Sequence, residues 1–268
     1  MNALRRIRGA AALACALLLA ACGGGGSDPV TPPAAPAPTP PTAAPAPTRA
    51  EAARFLRQAS FGPTAAEIDR VVGRGYAGWI DDQLALPAST QVPYLKQLPQ
   101  AATQDDRVEA WFRNAVLGPD QLRQRMAFAL SQILVVSERS ALGGEPIALA
   151  AYYDLLQARA LGNYRDLLED VTLSPAMGVY LSMLGNQKPD AARNIRPDEN
   201  YAREVMQLFT IGLVQLNPDG TVRRDAAGAP LPTYDQATVE AFAHVFTGWT
   251  FGGFASFFQP SLDWERPM

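Results

Sequence analysis

A chain of 268 residues with a formal charge of −3 and no clustered Lys and Arg lacks what phosphate backbones require, which excludes nucleic acid as a partner. Its 2 cysteines are Cys15 and Cys22. Everything after residue 22 is therefore free of thiol, which excludes disulfides, cysteine nucleophiles and Cys-ligated metals from the folded body.

The first predicted element is an export signal. Arg5, Arg6 and Arg8 precede an apolar run from Ala10 to Ala21, a charged region followed by a short hydrophobic one. That run is shorter than the ~20 residues a membrane span needs. It ends Leu19-Ala20-Ala21-Cys22, which resembles the lipobox of bacterial lipoproteins, where the cysteine receives acyl chains (palmitate among them) and becomes the mature N-terminus. The resemblance implies a protein anchored to the cell envelope, at the outer membrane or cell surface, through lipid on Cys22. Each buried CH₂ of such a chain contributes about 0.8 kcal/mol. A plain signal peptide with a coincidental cysteine is the alternative. Removing residues 1–21 takes the charge from −3 to −6 through loss of three arginines.

Residues 22–48 read as a disordered tether. They open Gly-Gly-Gly-Gly-Ser and continue as a Pro/Ala/Thr mixture to Pro47, a composition that buries no core and favours extended polyproline II.

Residues 49–268 read as a mainly α, multi-helix globular domain with a small β-hairpin. Thr48 and Glu51 have capping-box spacing, and Thr64 and Glu67 repeat it. Gly73-Arg74-Gly75-Tyr76-Ala77-Gly78 matches a dinucleotide fingerprint by letters, but an amphipathic helix precedes it where a strand is required. These glycines read as a C-cap and turn, and no cofactor can be named. Amphipathic stretches follow over residues 79–86, 105–117, 121–136, 147–161, 164–172 and 176–184, with Ser174-Pro175 as an N-cap and N1 proline. A helix from Asp198 to Ile211 places Tyr201, Val205, Leu208 and Phe209 on one face, with Gly212 as its stop. Asn217-Pro218-Asp219-Gly220 joins two short β-capable runs into a hairpin. Asp235 caps a last helix, Gln236 to Trp249, that lines up Val239, Phe242, Val245, Phe246 and Trp249. The bulky Phe257, Phe258, Leu262 and Trp264 have no helix to close on, so the end at Met268 reads as a cut.

Several segments resemble the bacterial family catalogued as domain of unknown function 1800. They are Arg54–Thr64 (RFLRQASFGPT), Gly75-Tyr76 with Trp79-Ile80-Asp81, Gly162-Asn163-Tyr164, Ser174-Pro175-Ala176-Met177 and, most specifically, Asp198–Gly212 (DENYAREVMQLFTIG). Tyr234-Asp235-Gln236 and Thr247-Gly248-Trp249 complete the set. The resemblance covers residues 49–249 and implies a helical envelope protein whose domain continues past Met268. The C-terminal remainder of that domain would then be a partner. It brings no settled activity. Relatives carry a Trp-His-Asn-His-Phe-like run where this chain has Phe128–Ile133, so a metal held by those histidines could not be held there by this chain.

Candidate chemistry centres on the acid and amide residues Asn186, Asp190, Asn194, Asp198, Glu199, Asn200 and Glu204. Asp190, Asp198 and Asn200 offer oxygen ligands of the kind a hard cation such as Ca²⁺ takes. Glu199 and Glu204 offer the paired carboxylates of glycoside cleavage. Glu204 falls at the edge of its helix's apolar face, where partial burial raises a carboxyl's pKa unless it is paired. The bland reading pairs Glu199 with Arg203, and Glu204 with Arg193 or Arg196. The sole histidine, His244, follows Glu240 by one turn, which reads either as a general base oriented by a carboxylate or as a surface pair. No Gly-x-Ser-x-Gly elbow is present. Two functions remain open: a hydrolase acting on an extracellular polymer, or a non-catalytic scaffold that binds an envelope protein or matrix.

Overall fold

In the computed structural model of the chain, residues 45–253, 257 and 262–268 are described. The export signal, Cys22 and the tether as far as Ala44 lie outside them, as does Phe258. Among the described residues the fold is mainly helical, as the sequence predicts. None of their helices is long and apolar enough to cross a membrane.

The first helix, α1 (Arg49–Ala59), carries the predicted capping box in full. The Thr48 N–H donates to Glu51 Oε2 at 2.8 Å and the Glu51 N–H to Thr48 Oγ1 at 3.3 Å. Helix α2 (Ala65–Leu84) has only half of its box. Thr64 Oγ1 accepts the Glu67 N–H at 3.2 Å, but the Glu67 carboxylate turns to Trp79 Nε1 at 2.8 Å. Trp79 is thereby fully buried in a cluster with Ala52, Leu56 and Val71. Within α2, Gly75 adopts φ +71°, so the glycine turn anticipated there is a bend that helix flanks on both sides.

The five-residue α3 (Val92–Lys96) was not legible in the sequence. Helix α4 (Gln104–Leu117) opens on a second complete box, Thr103 with Asp106. Helix α5 (Gln121–Ser131) stops before the predicted Val136. The Leu134 carbonyl, which a continuing helix would have used, accepts the Tyr152 hydroxyl at 2.7 Å. Tyr152 belongs to α6 (Pro146–Arg159), where Ala148, Leu149, Ala150, Leu156 and Gln157 are also buried. A helix apolar on most sides must sit inside. Accordingly α6 is the hub against which α3, α4 and α5 pack, together with α7 (Tyr164–Leu173) and α8 (Pro175–Tyr180). The main core joins Leu134, Leu142, Leu156, Val171 and Met177 to Tyr201 and Val239 of the last two helices. Each fully buried leucine contributes about 1.5–3 kcal/mol.

Those last helices, α9 (Asn200–Gln207) and α10 (Gln236–Val245), are both shorter than predicted. The Phe209 N–H bonds the Glu204 carbonyl five residues back, Thr210 Oγ1 takes the Val205 carbonyl, and Gly212 turns the chain at φ +71°. Leu208, expected on the buried face, is consequently 59 % exposed. Asp235 caps α10 as predicted, its Oδ1 accepting the Thr238 N–H at 2.8 Å. Val245 lies off the inner face and is 61 % exposed, while Val239 and Phe246 are buried.

The predicted hairpin is half of what forms between α9 and α10. Leu216 pairs with Val222 across the Asn217–Gly220 turn, but a second turn at Asp225–Gly228 pairs Arg224 with Pro230, and Val214 closes on Pro232. The Gln215 N–H bonds the Leu231 carbonyl, the Leu231 N–H the Arg223 carbonyl, and the Arg223 N–H the Gln215 carbonyl, each at 2.9 Å. Three limbs are thus tied in a ring.

Candidate functional site

The segment leading into α9 is fastened to the end of α10 by one amide. Asn186 Oδ1 accepts the Asp198 N–H at 2.8 Å, and Nδ2 donates to the carbonyls of Asp198 at 3.2 Å and Phe246 at 3.3 Å. Its own carbonyl accepts the Gly248 N–H at 2.8 Å. Asn186 is buried. Its amide is thus engaged in structure, which takes it out of the predicted acid and amide cluster.

That fastening sets the start of α9 beside the polar face of α10, where Gln236, Glu240 and His244 follow one another at one-turn spacing. Arg203 Nη2 donates to Glu199 Oε2 at 2.8 Å and to Gln236 Oε1 at 3.1 Å. Gln236 Nε2 donates in turn to Glu199 Oε2 at 3.0 Å and Glu240 Oε1 at 3.2 Å. The expected Glu199–Arg203 pair is therefore present, and Gln236 ties it to the other helix. A hollow of about 340 Å³ opens here, bordered by Pro189, Arg196, Glu199, Glu240 and His244. His244 is exposed, and among the described residues its ring has no hydrogen-bond or ion-pair partner, so the Glu240–His244 pair does not form. Arg196 also forms no ion pair among the described residues.

Two of the three predicted catalytic residues, Glu199 and His244, meet at this hollow together with Glu240. Glu204 does not. It is half-buried as expected, but its Oε2 is buried without a hydrogen-bond partner. The predicted partner Arg193 bonds Asp190 instead, Nε to Oδ2 at 2.7 Å. An orphaned buried carboxylate oxygen costs on the order of 1–3 kcal/mol.

Asp190, Asp198 and Asn200 are distributed over local turns. Asp190 Oδ1 accepts the N–H groups of Ala192 and Arg193, capping the short turn Ala191–Arg193. The Arg193 guanidinium and these amides hold the Asp190 carboxyl below its ordinary range. Asp198 Oδ1 accepts the Asn200 N–H at 2.8 Å. Among the described residues no group of three or more His, Cys, Asp or Glu side chains could hold a metal ion. Phe128–Ile133 lies at the end of α5 and just beyond it. There Phe128, Ser131 and Gln132 border a separate hollow of about 460 Å³ with Trp111 and Tyr153.

Gln236 is the site residue the sequence reading missed. Its signal was the run Gln236, Glu240, His244 at i, i+4, i+8, which marks one polar stripe.

The model of a family described as "Protein of unknown function (DUF1800)" matches residues 54–265. No curated protein and no solved structure matches the chain. The chain belongs to the DUF1800 family, as its Arg54–Thr64 and Asp198–Gly212 segments lead one to expect.

Proposed function

We propose that this DUF1800 protein is an exported envelope protein, lipid-anchored at Cys22, that hydrolyses an extracellular polymer at the hollow between α9 and α10. The observation that carries the reading is the meeting of Glu199, the residue that precedes α9, with Glu240 and His244 of α10 on one hollow. His244, unengaged by other side chains, takes a proton from the water that attacks the polymer bond and returns it to the leaving oxygen as that bond breaks, while the carboxylates of Glu199 and Glu240 on the same hollow lower the cost of the transient imidazolium charge. Arg196 supplies positive charge where negative charge develops on the polymer. Glu199, locked by Arg203 and Gln236, shapes the floor. The export signal and the tether would place that hollow outside the cytoplasm, within reach of such a polymer.

Screening the full-length protein on polysaccharide and ester panels, beside His244→Gln, tests the chemistry. Activity that falls by about 10²–10⁴ in the variant supports it. A wild type inactive on every panel ends it. Mass spectrometry of the membrane fraction tests the anchor, and an unmodified Cys22 in the soluble fraction removes it.

A second reading, a non-catalytic binding protein, is favoured by one observation. Arg203 neutralises Glu199 and Gln236 bridges it to Glu240, an arrangement that also serves to hold the start of α9 against α10. On that reading the wild type binds an insoluble polymer without cleaving it.

A further inference from the structure

We propose a second binding site, in the hollow over α6 that contains Asp154, whose ligand is a small organic ammonium ion with an apolar body. The hollow holds about 480 Å³, within the range of small-molecule sites. Its walls are largely apolar: Val92, Pro93, Leu155, Leu173, Pro175 and Trp264. Asp154 is the only acid in α6.

Both oxygens of Asp154 are oriented from the protein side. Oδ1 accepts the Gln91 N–H at 2.7 Å and Oδ2 the Val92 N–H at 2.9 Å. Each oxygen keeps a further lone pair. The other charged groups bordering the hollow already have partners. Asp170 accepts from Arg159 Nε at 2.5 Å, Glu265 pairs with Lys96 at 2.5 Å, and Arg266 with Asp263 at 3.7 Å. Among the described residues Asp154 alone of these acids has no counter-charge. Burial pushes its carboxyl up to about 6, so at neutral pH it carries a negative charge that its surroundings disfavour.

A half-buried, amide-oriented carboxylate in an apolar hollow fits a cation that brings N–H donors and apolar surface together. A neutral alcohol leaves the charge uncompensated, and a carboxylate repels it. Trp264, its Nε1 fixed on Glu145 at 2.9 Å, offers a ring to the ligand's body. Capping of α3 alone would explain the two amide bonds, but it requires neither the hollow nor any selectivity for cations.

Titration calorimetry on the full chain at neutral pH, with phenethylammonium chloride, phenethyl alcohol and phenylacetate as probes, decides the matter. The ammonium should bind, with the alcohol and the carboxylate at least about tenfold weaker. Asp154→Asn should weaken the ammonium by at least about tenfold. Because that variant also disturbs α3, Ala158→Trp provides a second arm. Ala158 is exposed at the rim, so the indole should obstruct the hollow without moving the unfolding temperature. Equal binding of all three probes, no binding of the ammonium, or ammonium binding unchanged in either variant would overturn the proposal.

Discussion

Asn186 and Asp198 bond each other as neighbouring strands do, the side-chain amide of one receiving the backbone N–H and meeting the carbonyl of the other. A single side chain thereby replaces a stretch of sheet between the approach to α9 and the exit of α10. Asn186→Ala leaves the Asp198 N–H, which lost its partner, and two carbonyls to find water in a buried place. The expected cost is about 2–4 kcal/mol in urea unfolding, with amide exchange accelerated first around residues 198 and 248. Asn186→Asp removes the donor and sets a buried negative charge against the same two carbonyls, so at neutral pH it should cost at least as much as the alanine variant. An alanine variant as stable as wild type would show that the amide fastens nothing.

Helix α2 provides a comparison of two glycines in one helix. Gly75 stands at φ +71°, where a Cβ is disfavoured, so Gly75→Ala should destabilise by about 1–2 kcal/mol. Gly73 is helical with open space around a Cβ, so Gly73→Ala should stabilise by about 0.5–1 kcal/mol. Chemical denaturation of the two variants reads the difference. Equal shifts would mean that α2 runs straight in solution.

Asp154 sets a pH signature opposite to that of the surface caps. Burial raises its carboxyl from 3.8 to about 6, against the opposing amides of Val92 and Gln91, so the folded state holds its proton more tightly than the unfolded state. Its contribution to stability therefore declines as pH rises from 3.8 to about 6 and is level above. Glu51, Asp106, Asp190 and Asp235, all lowered by their hydrogen bonds, contribute stability that is lost on acidification instead. The difference between wild type and Asp154→Asn isolates the one group. It should change by roughly 2–3 kcal/mol across that window, wild type losing ground as pH rises. A flat difference would place Asp154 in water.

The capped starts of helices were legible, as was the end of α4 at Leu117, but the ends of α5, α9 and α10 were not. Thr48 and Asp235 cap through atoms within three residues, so local spacing suffices to find them. The end of α5 is tied to Tyr152 and that of α10 to Asn186, partners that no local pattern announces. The same contrast divides the site. Glu199, at the N-cap of α9, and Arg203, one turn on, were paired correctly, whereas Gln236 reaches Glu199 across 37 residues. Asp154 lies in a stretch legible only as amphipathic, and the N–H groups that orient it, from Gln91 and Val92, are 63 and 62 residues away.

The ring of hydrogen bonds among Gln215, Arg223 and Leu231 makes the excursion between α9 and α10 self-sufficient. Its neck is closed separately, by the Thr233 N–H on the Leu213 carbonyl at 3.1 Å. The spacing of the two helices thus answers to the neck and to Asn186, not to what the limbs carry. The exposed turn at residues 225–228 is therefore a place where this chain can accept inserted peptide, a label or another domain while the α9–α10 hollow keeps its shape.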